Sequence, residues 1–214
     1  MKNFNKYLEA LNTLSIKYFY KPLVIDEYNK EVIYKIIQYC IKDPDFEKGN
    51  DRFNKSILIC GGIGTGKSYL MELMSHFKRD YLRLEKGPFL LHRIEKIVGA
   101  FRKEGEAGLD YYLLNPKLNS YGTKAEKPFT YCIDDLGLEN ETVTHFGISD
   151  QLVPHIISVR YDLMRIGIKT HITTNFTPKE LSEKYSNGIA SRFVGMYNIF
   201  ILEGPDRRKL MFNQ

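Results

Sequence analysis

Gly61-Gly62-Ile63-Gly64-Thr65-Gly66-Lys67-Ser68 fits the pattern G-x-x-x-x-G-K-[ST] at every fixed position, and its surroundings decide how it reads. In front of it, Ser56-Ile57-Leu58-Ile59-Cys60 is a short apolar run with β-branched residues, the signature of a buried parallel strand. Behind it, Leu70, Leu73, Met74 and Phe77 recur at helical spacing over residues 67–77. Strand, glycine loop and helix together are the context in which this pattern cradles nucleotide phosphates. Glycines turn sharply, accept positive φ and let backbone N–H groups approach an anion. The helix adds its unpaired N-terminal N–H groups and its dipole. Gly61 to Ser68, with Tyr69 beside them, are therefore the expected nucleotide-binding residues. Lys67 would reach the β- and γ-phosphates as a point charge, and the Ser68 hydroxyl would take one position on Mg²⁺.

A second apolar run, Phe129-Thr130-Tyr131-Cys132-Ile133, leads straight into Asp134-Asp135-Leu136-Gly137. A strand that ends in carboxylates is what a phosphate-cradling sheet needs to organise a metal ion. Asp134 is expected to hold Mg²⁺, through water, and Asp135 to face the attacking water as its base or positioner. Downstream, Ile168 to Thr174 reads as a further strand that ends at Asn175, and Asn198 to Leu202 as the last one.

The chain has 214 residues, 43% hydrophobic and 27% charged, enough for one globular domain with a real core. A net charge of +5 permits nucleic-acid contact without demanding it. No apolar run is long enough to span a membrane, and the N-terminus lacks the apolar centre of a signal peptide, so a cytoplasmic protein is expected. Cys40, Cys60 and Cys132 are widely spaced and form no C-x-x-C pair, which favours buried reduced thiols over metal ligands.

Between these strands the periodicity predicts helices. Phe4, Leu8, Leu11 and Leu14 mark a short first one. Asp26 is a candidate cap for a second, lined by Val32, Ile33, Ile36, Ile37 and Cys40 and ended by Asp43-Pro44. Phe46 to Asn54 reads as a polar connector. Phe89 to Leu91 reads as a strand, followed by a helical face of Ile94, Ile97, Val98 and Phe101 that breaks at Gly105. Residues 107–116 suggest another short helix. Ser149 or Asp150 opens a long one through Met164, closed by Gly167. Thr177-Pro178 is a cap with proline in the first turn of a helix through Tyr185, and a second short helix follows from Asn187. Alternating strands and helices imply an α/β fold, a parallel central sheet in a three-layer αβα sandwich, with the nucleotide at the C-terminal edge of the strands.

The residues Gly61 to Ser68, Ile133 to Glu139, Thr173-Thr174-Asn175 with Pro178 to Leu181, Tyr185 to Phe193 and Gly204 to Arg208 together resemble the DnaC/IstB-like branch of the AAA+ ATPases, helicase loaders and transposition helpers. The resemblance implies an AAA+ P-loop ATPase domain over residues 51–214; residues 1–50 lie outside it and read as a short N-terminal helical segment packed on or leading into the core. It implies ATP and Mg²⁺ as cofactors. Asn175 falls at the first sensor position, and Arg192 looks like the arginine finger offered to a neighbouring subunit's ATP. Arg208, with Arg207 as the alternative, looks like the second sensor. The implied assembly is a homo-oligomer with ATP between subunits, acting with single-stranded DNA and with a replicative helicase or a transposase.

Two departures stand out: Asp135 occupies the position where a catalytic Glu is usual, and few residues precede the cradle compared with full-length loaders. In the branch, the region 94–127 corresponds to a single-stranded DNA path; here Tyr111, Tyr112, Lys117, Lys124 and Lys127 supply aromatic faces and cations. A small-molecule P-loop kinase and a nucleotide switch without turnover are the competing readings.

Overall fold

The computed structural model describes residues 4–85, 87–113, 129–139, 144–145, 148–149 and 152–210. Five strands form one parallel sheet: β1 (Ser56–Cys60), β2 (Leu90–Arg93), β3 (Tyr131–Leu136), β6 (Thr170–Thr174) and β7 (Tyr197–Ile201). Their order is β2-β3-β6-β1-β7, which places the strand before the glycine loop inside the sheet. A small antiparallel hairpin, β4 (Thr144–His145) with β5 (Ile148–Ser149), stands apart.

Alternation along β1 divides the core. Ile57 and Ile59 face one side, where α1 (Asn5–Phe19), α2 (Lys30–Ile41) and α3 (Lys67–His76) pack through Leu11, Ile37 and Met74. Leu58 and Cys60 face the other, covered by α4 (Ile94–Glu104), α5 (Glu106–Leu113), α6 (Leu152–Met164) and α7 (Pro178–Met196). A period of two in the strand thus builds both layers of an αβα sandwich. α1 and α2 belong to the same core as the sheet. Val32, Ile33, Ile36, Ile37 and Cys40 are all buried on α2, and Cys40, Cys60 and Cys132 are buried free thiols.

Several boundaries differ from the sequence expectation. α1 runs on past the periodic residues Phe4 to Leu14 through Tyr18 and Phe19, which pack against His76 and Tyr69. Asp26 does not cap α2: the N-cap is Asn29, and the Asp26 carboxylate accepts from the Tyr28 and Asn29 N–H groups in a turn ahead of the helix. Phe46 is fully buried in a short 3₁₀ turn, Pro44–Lys48, stacked on Phe53. Burying such a ring contributes about 1.5–3 kcal/mol, enough to fold a polar connector onto the core. β3 extends through Leu136, so the two aspartates lie within the strand. Ser149 belongs to the hairpin, and α6 starts at Leu152; Asp150 lies outside the described residues. α7 continues through Asn187-Gly188 as one helix, because an interior glycine costs a helix only about 1 kcal/mol and Leu181, Tyr185, Ile189 and Phe193 bury one continuous face.

Candidate nucleotide site

The glycine loop leaves the sheet pinned to both neighbouring strands. Gly61 N–H donates to the Thr174 carbonyl (3.2 Å), and Leu202 N–H donates to the Cys60 carbonyl (2.7 Å). Gly64 has φ +78, and a Cβ there would lie 1.8 Å from the Asp206 carboxylate. Only glycine fits. Gly66, at φ +103, caps α3, whose first backbone N–H groups have no partner within the helix.

Lys67 is nearly buried. Its Nζ donates to the carbonyls of Gly61 (2.9 Å) and Gly62 (2.8 Å) and to Asn175 Oδ1 (2.6 Å). Burial pushes its ammonium down from the ordinary lysine value, opposed by Asp135 and Asp134. Asn175 follows directly on β6, so the sheet itself sets this residue beside the loop's lysine.

The acidic pair sits in an irregularity. β3 shifts register against β6 between Ile133 and Leu136, and Asp135 takes a left-handed φ of +59. Such bulges re-aim side chains at the ends of strands, and αL is uncommon for a residue with a Cβ. Thr173 fixes both acids: its hydroxyl donates to Asp134 Oδ1 (2.6 Å) and its Oγ1 accepts from Asp135 N–H (3.0 Å). Burial, and then the Asp134 charge, raise the Asp135 carboxyl above its ordinary value, against the pull of Lys67 and Arg93. An acid in that environment takes up a proton more readily than a surface aspartate does.

Among the described residues no group of three or more His, Cys, Asp or Glu side chains converges to hold a metal unaided. Mg²⁺ beside a polyphosphate asks for less, namely one or two carboxylates, a hydroxyl and phosphate oxygens. Buried Asp134 at the sheet edge and Ser68 in the first turn of α3 are a donor set of that kind.

Residues 204–208 close over the loop. Arg208 is largely exposed and near enough for its charge to push Lys67 further down. Arg207 is committed elsewhere, to Asp26 and to the loop's own carbonyls. Arg192 is not at this cradle. On α7 its Nη1 donates to Ser158 Oγ of α6 (2.5 Å), and it borders a cavity of about 510 Å³ with Phe101, Leu109, His155 and Ile189. No cradle residue lines that cavity. Of the aromatic pair considered for DNA, Tyr112 is buried among His92 and Tyr131, whereas Tyr111 is partly exposed. Lys117, Lys124 and Lys127 lie outside the described residues.

The roles of two residues near the site went unread in the sequence. Thr173 stands there within the Thr173-Thr174-Asn175 motif with no role of its own. Arg93 ends β2 in register with Asp134, and its charge lowers Asp135; only strand pairing brings it there.

A five-stranded parallel sheet, helices on both faces, a glycine loop after an interior strand and an acid pair on the strand two places away define an α/β P-loop domain of AAA+ fold. Solved structures of the same fold include the DnaC helicase loader (18% identity, TM-score 0.58, covering 92% of this chain and 99% of that one) and a putative primosome component from Streptococcus pyogenes serotype M3 (19%, 0.57, 87% and 85%). AMPPCP-bound DnaA from Aquifex aeolicus is similar over 89% of this chain and 52% of its own (16%, 0.53). No protein-family model matches the sequence, and no curated protein is significantly similar to it. No helix among the described residues is long and apolar enough to cross a membrane.

Proposed function

We propose that this chain is a Mg²⁺-dependent ATPase that assembles as an oligomer on single-stranded DNA in the cytoplasm and assists DNA replication by loading a replicative helicase. The observation that carries the ATPase part is the junction of Lys67 with Asn175 and of Thr173 with Asp134 and Asp135 at one sheet edge. The replication part draws its support from the fold shared with a helicase loader and a primosome component.

In this reading Lys67 exchanges the Gly61 and Gly62 carbonyls for β- and γ-phosphate oxygens, an exchange of neutral acceptors for charged ones that strengthens each bond. Ser68 and Asp134 hold Mg²⁺, which when bound neutralises charge on the phosphates. Asn175 orients the attacking water, and Asp135, ionised, accepts its proton. Arg208 lends positive charge near the γ-phosphate, and Arg192 supplies a second cation to the neighbouring subunit.

The test is ATP hydrolysis measured with and without single-stranded DNA, together with capture of the host's replicative helicase by the wild-type chain in ATP. Turnover with helicase capture is the expected result. Capture of a transposase instead would assign a transposition helper, phosphate transfer to a small acceptor would assign a kinase, and binding without turnover would assign a switch.

A further inference from the structure

Arg207 joins three parts of the chain that are distant in sequence. Its backbone N–H donates to the Gly64 carbonyl (2.9 Å) and its Nε to the Thr65 carbonyl (3.1 Å). Its Nη2 donates to both oxygens of the Asp26 carboxylate (3.0 and 2.7 Å), and both side chains are about three-quarters buried, at 22% and 26% exposure. A trans peptide points its N–H opposite to its C=O. Holding the Gly64 and Thr65 carbonyls therefore aims the N–H groups of Thr65 and Gly66 away from Arg207, and those N–H groups belong to the loop that receives phosphates.

Asp26 stands in the segment between α1 and α2, and that segment is tied to the cradle a second time. Ser15 Oγ on α1 donates to the Lys21 carbonyl (2.5 Å) and is paired with the Tyr69 hydroxyl (2.6 Å), one residue beyond Ser68. With Ser15's proton given to Lys21, Tyr69 is the donor in that pair.

We infer that residues 20–29 form a nucleotide-responsive latch in which Asp26 is a positioning residue, acting through Arg207 to hold the phosphate loop in its binding shape. The inference rests on the nucleotide-binding reading above and adds a regulatory link to it. By linkage, whatever orders the latch tightens nucleotide binding, and nucleotide binding orders the latch by the same factor. Anything that draws α1 away from α3 would loosen the grip on phosphate.

Asp26→Asn tests this cleanly, because asparagine keeps an oxygen for the Tyr28 and Asn29 N–H groups while losing the charge that Arg207 grips. Asp26→Asn removes the charge through which the latch is coupled to the loop, so it should weaken binding of Mg²⁺–AMPPCP by about tenfold. KM for ATP should rise in step while kcat stays within about twofold, the pattern of lost uniform binding. In the wild-type chain AMPPCP should slow hydrogen exchange at the Tyr28 and Asn29 amides, and in Asp26→Asn it should not. Lys35→Ala is the control: it breaks a comparably buried ion pair with Asp51, remote from the loop, and should lower stability without changing nucleotide affinity.

Wild-type affinity in Asp26→Asn, or an equal loss in Lys35→Ala, would overturn the latch and leave the nucleotide site standing. A wild-type chain that binds neither ATP nor AMPPCP would overturn the ATPase reading itself, and the latch with it.

Discussion

One hydroxyl organises the acidic end of the candidate site. Thr173 gives its proton to Asp134 and accepts the Asp135 N–H, so it fixes the side chain of one acid and the backbone of the next. Thr173→Val keeps the shape, strips Asp134 of a donor and leaves the Asp135 N–H without its acceptor. Unsatisfied buried groups cost about 1–3 kcal/mol, so denaturant unfolding should show a loss of that order. Steady-state turnover should fall by about tenfold or more, as for a misplaced catalytic group, while AMPPCP affinity stays near wild type. Lys67→Ala should give the complementary result, at least about a tenfold loss of AMPPCP affinity, the worth of one charge-assisted bond. Wild-type binding in calorimetry would remove the central assignment. Lys67 was legible in the sequence because loop chemistry fixes its spacing from the glycines. Thr173 was not, since its partner lies 39 residues away and meets it only through β3–β6 pairing.

The elements were legible where burial on both faces leaves a continuous apolar run, as in β1, where β-branched residues crowd a short segment, as in β6, or where one face repeats, as in α2 and α4. They were misread where a local signal lost to packing: Asn187-Gly188 reads as a break, yet the buried face of α7 carries the helix through it. The order β2-β3-β6-β1-β7 cannot be read from alternation alone, because it depends on which loops cross which strand. One strand residue makes the packing pH-sensitive. His171 on β6 is fully buried, and its Nδ1 accepts from Ile57 N–H of β1 (3.0 Å). Burial first, then Lys78 and Lys169, push its pKa well below the ordinary histidine value. With the folded pKa depressed, the unfolded chain binds the proton more readily. The stability that goes with a neutral ring is therefore whole above about pH 6.5 and drains as pH falls below it, by up to about 1.4 kcal/mol per pH unit. His171→Gln keeps an acceptor for Ile57 and cannot titrate. Between pH 7 and 5 its unfolding free energy should fall less steeply than that of wild type, and parallel curves would show that the ring does not titrate with folding.

At the scale of the whole molecule, folding gathers residues 61–68, 134–135, 175 and 204–208 at one end of the sheet and leaves Arg192 out. Its guanidinium rests on Ser158 beside the cavity between α6 and α7. Under the proposed function, an arginine that lies outside its own cradle serves the cradle of another subunit, so turnover per chain should rise with protein concentration. Arg192→Ala should bind AMPPCP like wild type and lose about 10³-fold or more in kcat, the scale of arginine fingers in GTPases. Mixing supplies the decisive measurement. In a 1:1 mixture of Arg192→Ala with Asp135→Asn, about a quarter of the subunit contacts in a head-to-tail assembly pair an intact cradle with an intact finger. Activity should recover to about that fraction of wild type, although each variant alone is inactive. If the mixture stays as inactive as its parts while both variants still assemble, Arg192 acts within its own chain, as the partner of Ser158, and hydrolysis does not depend on a neighbour's arginine.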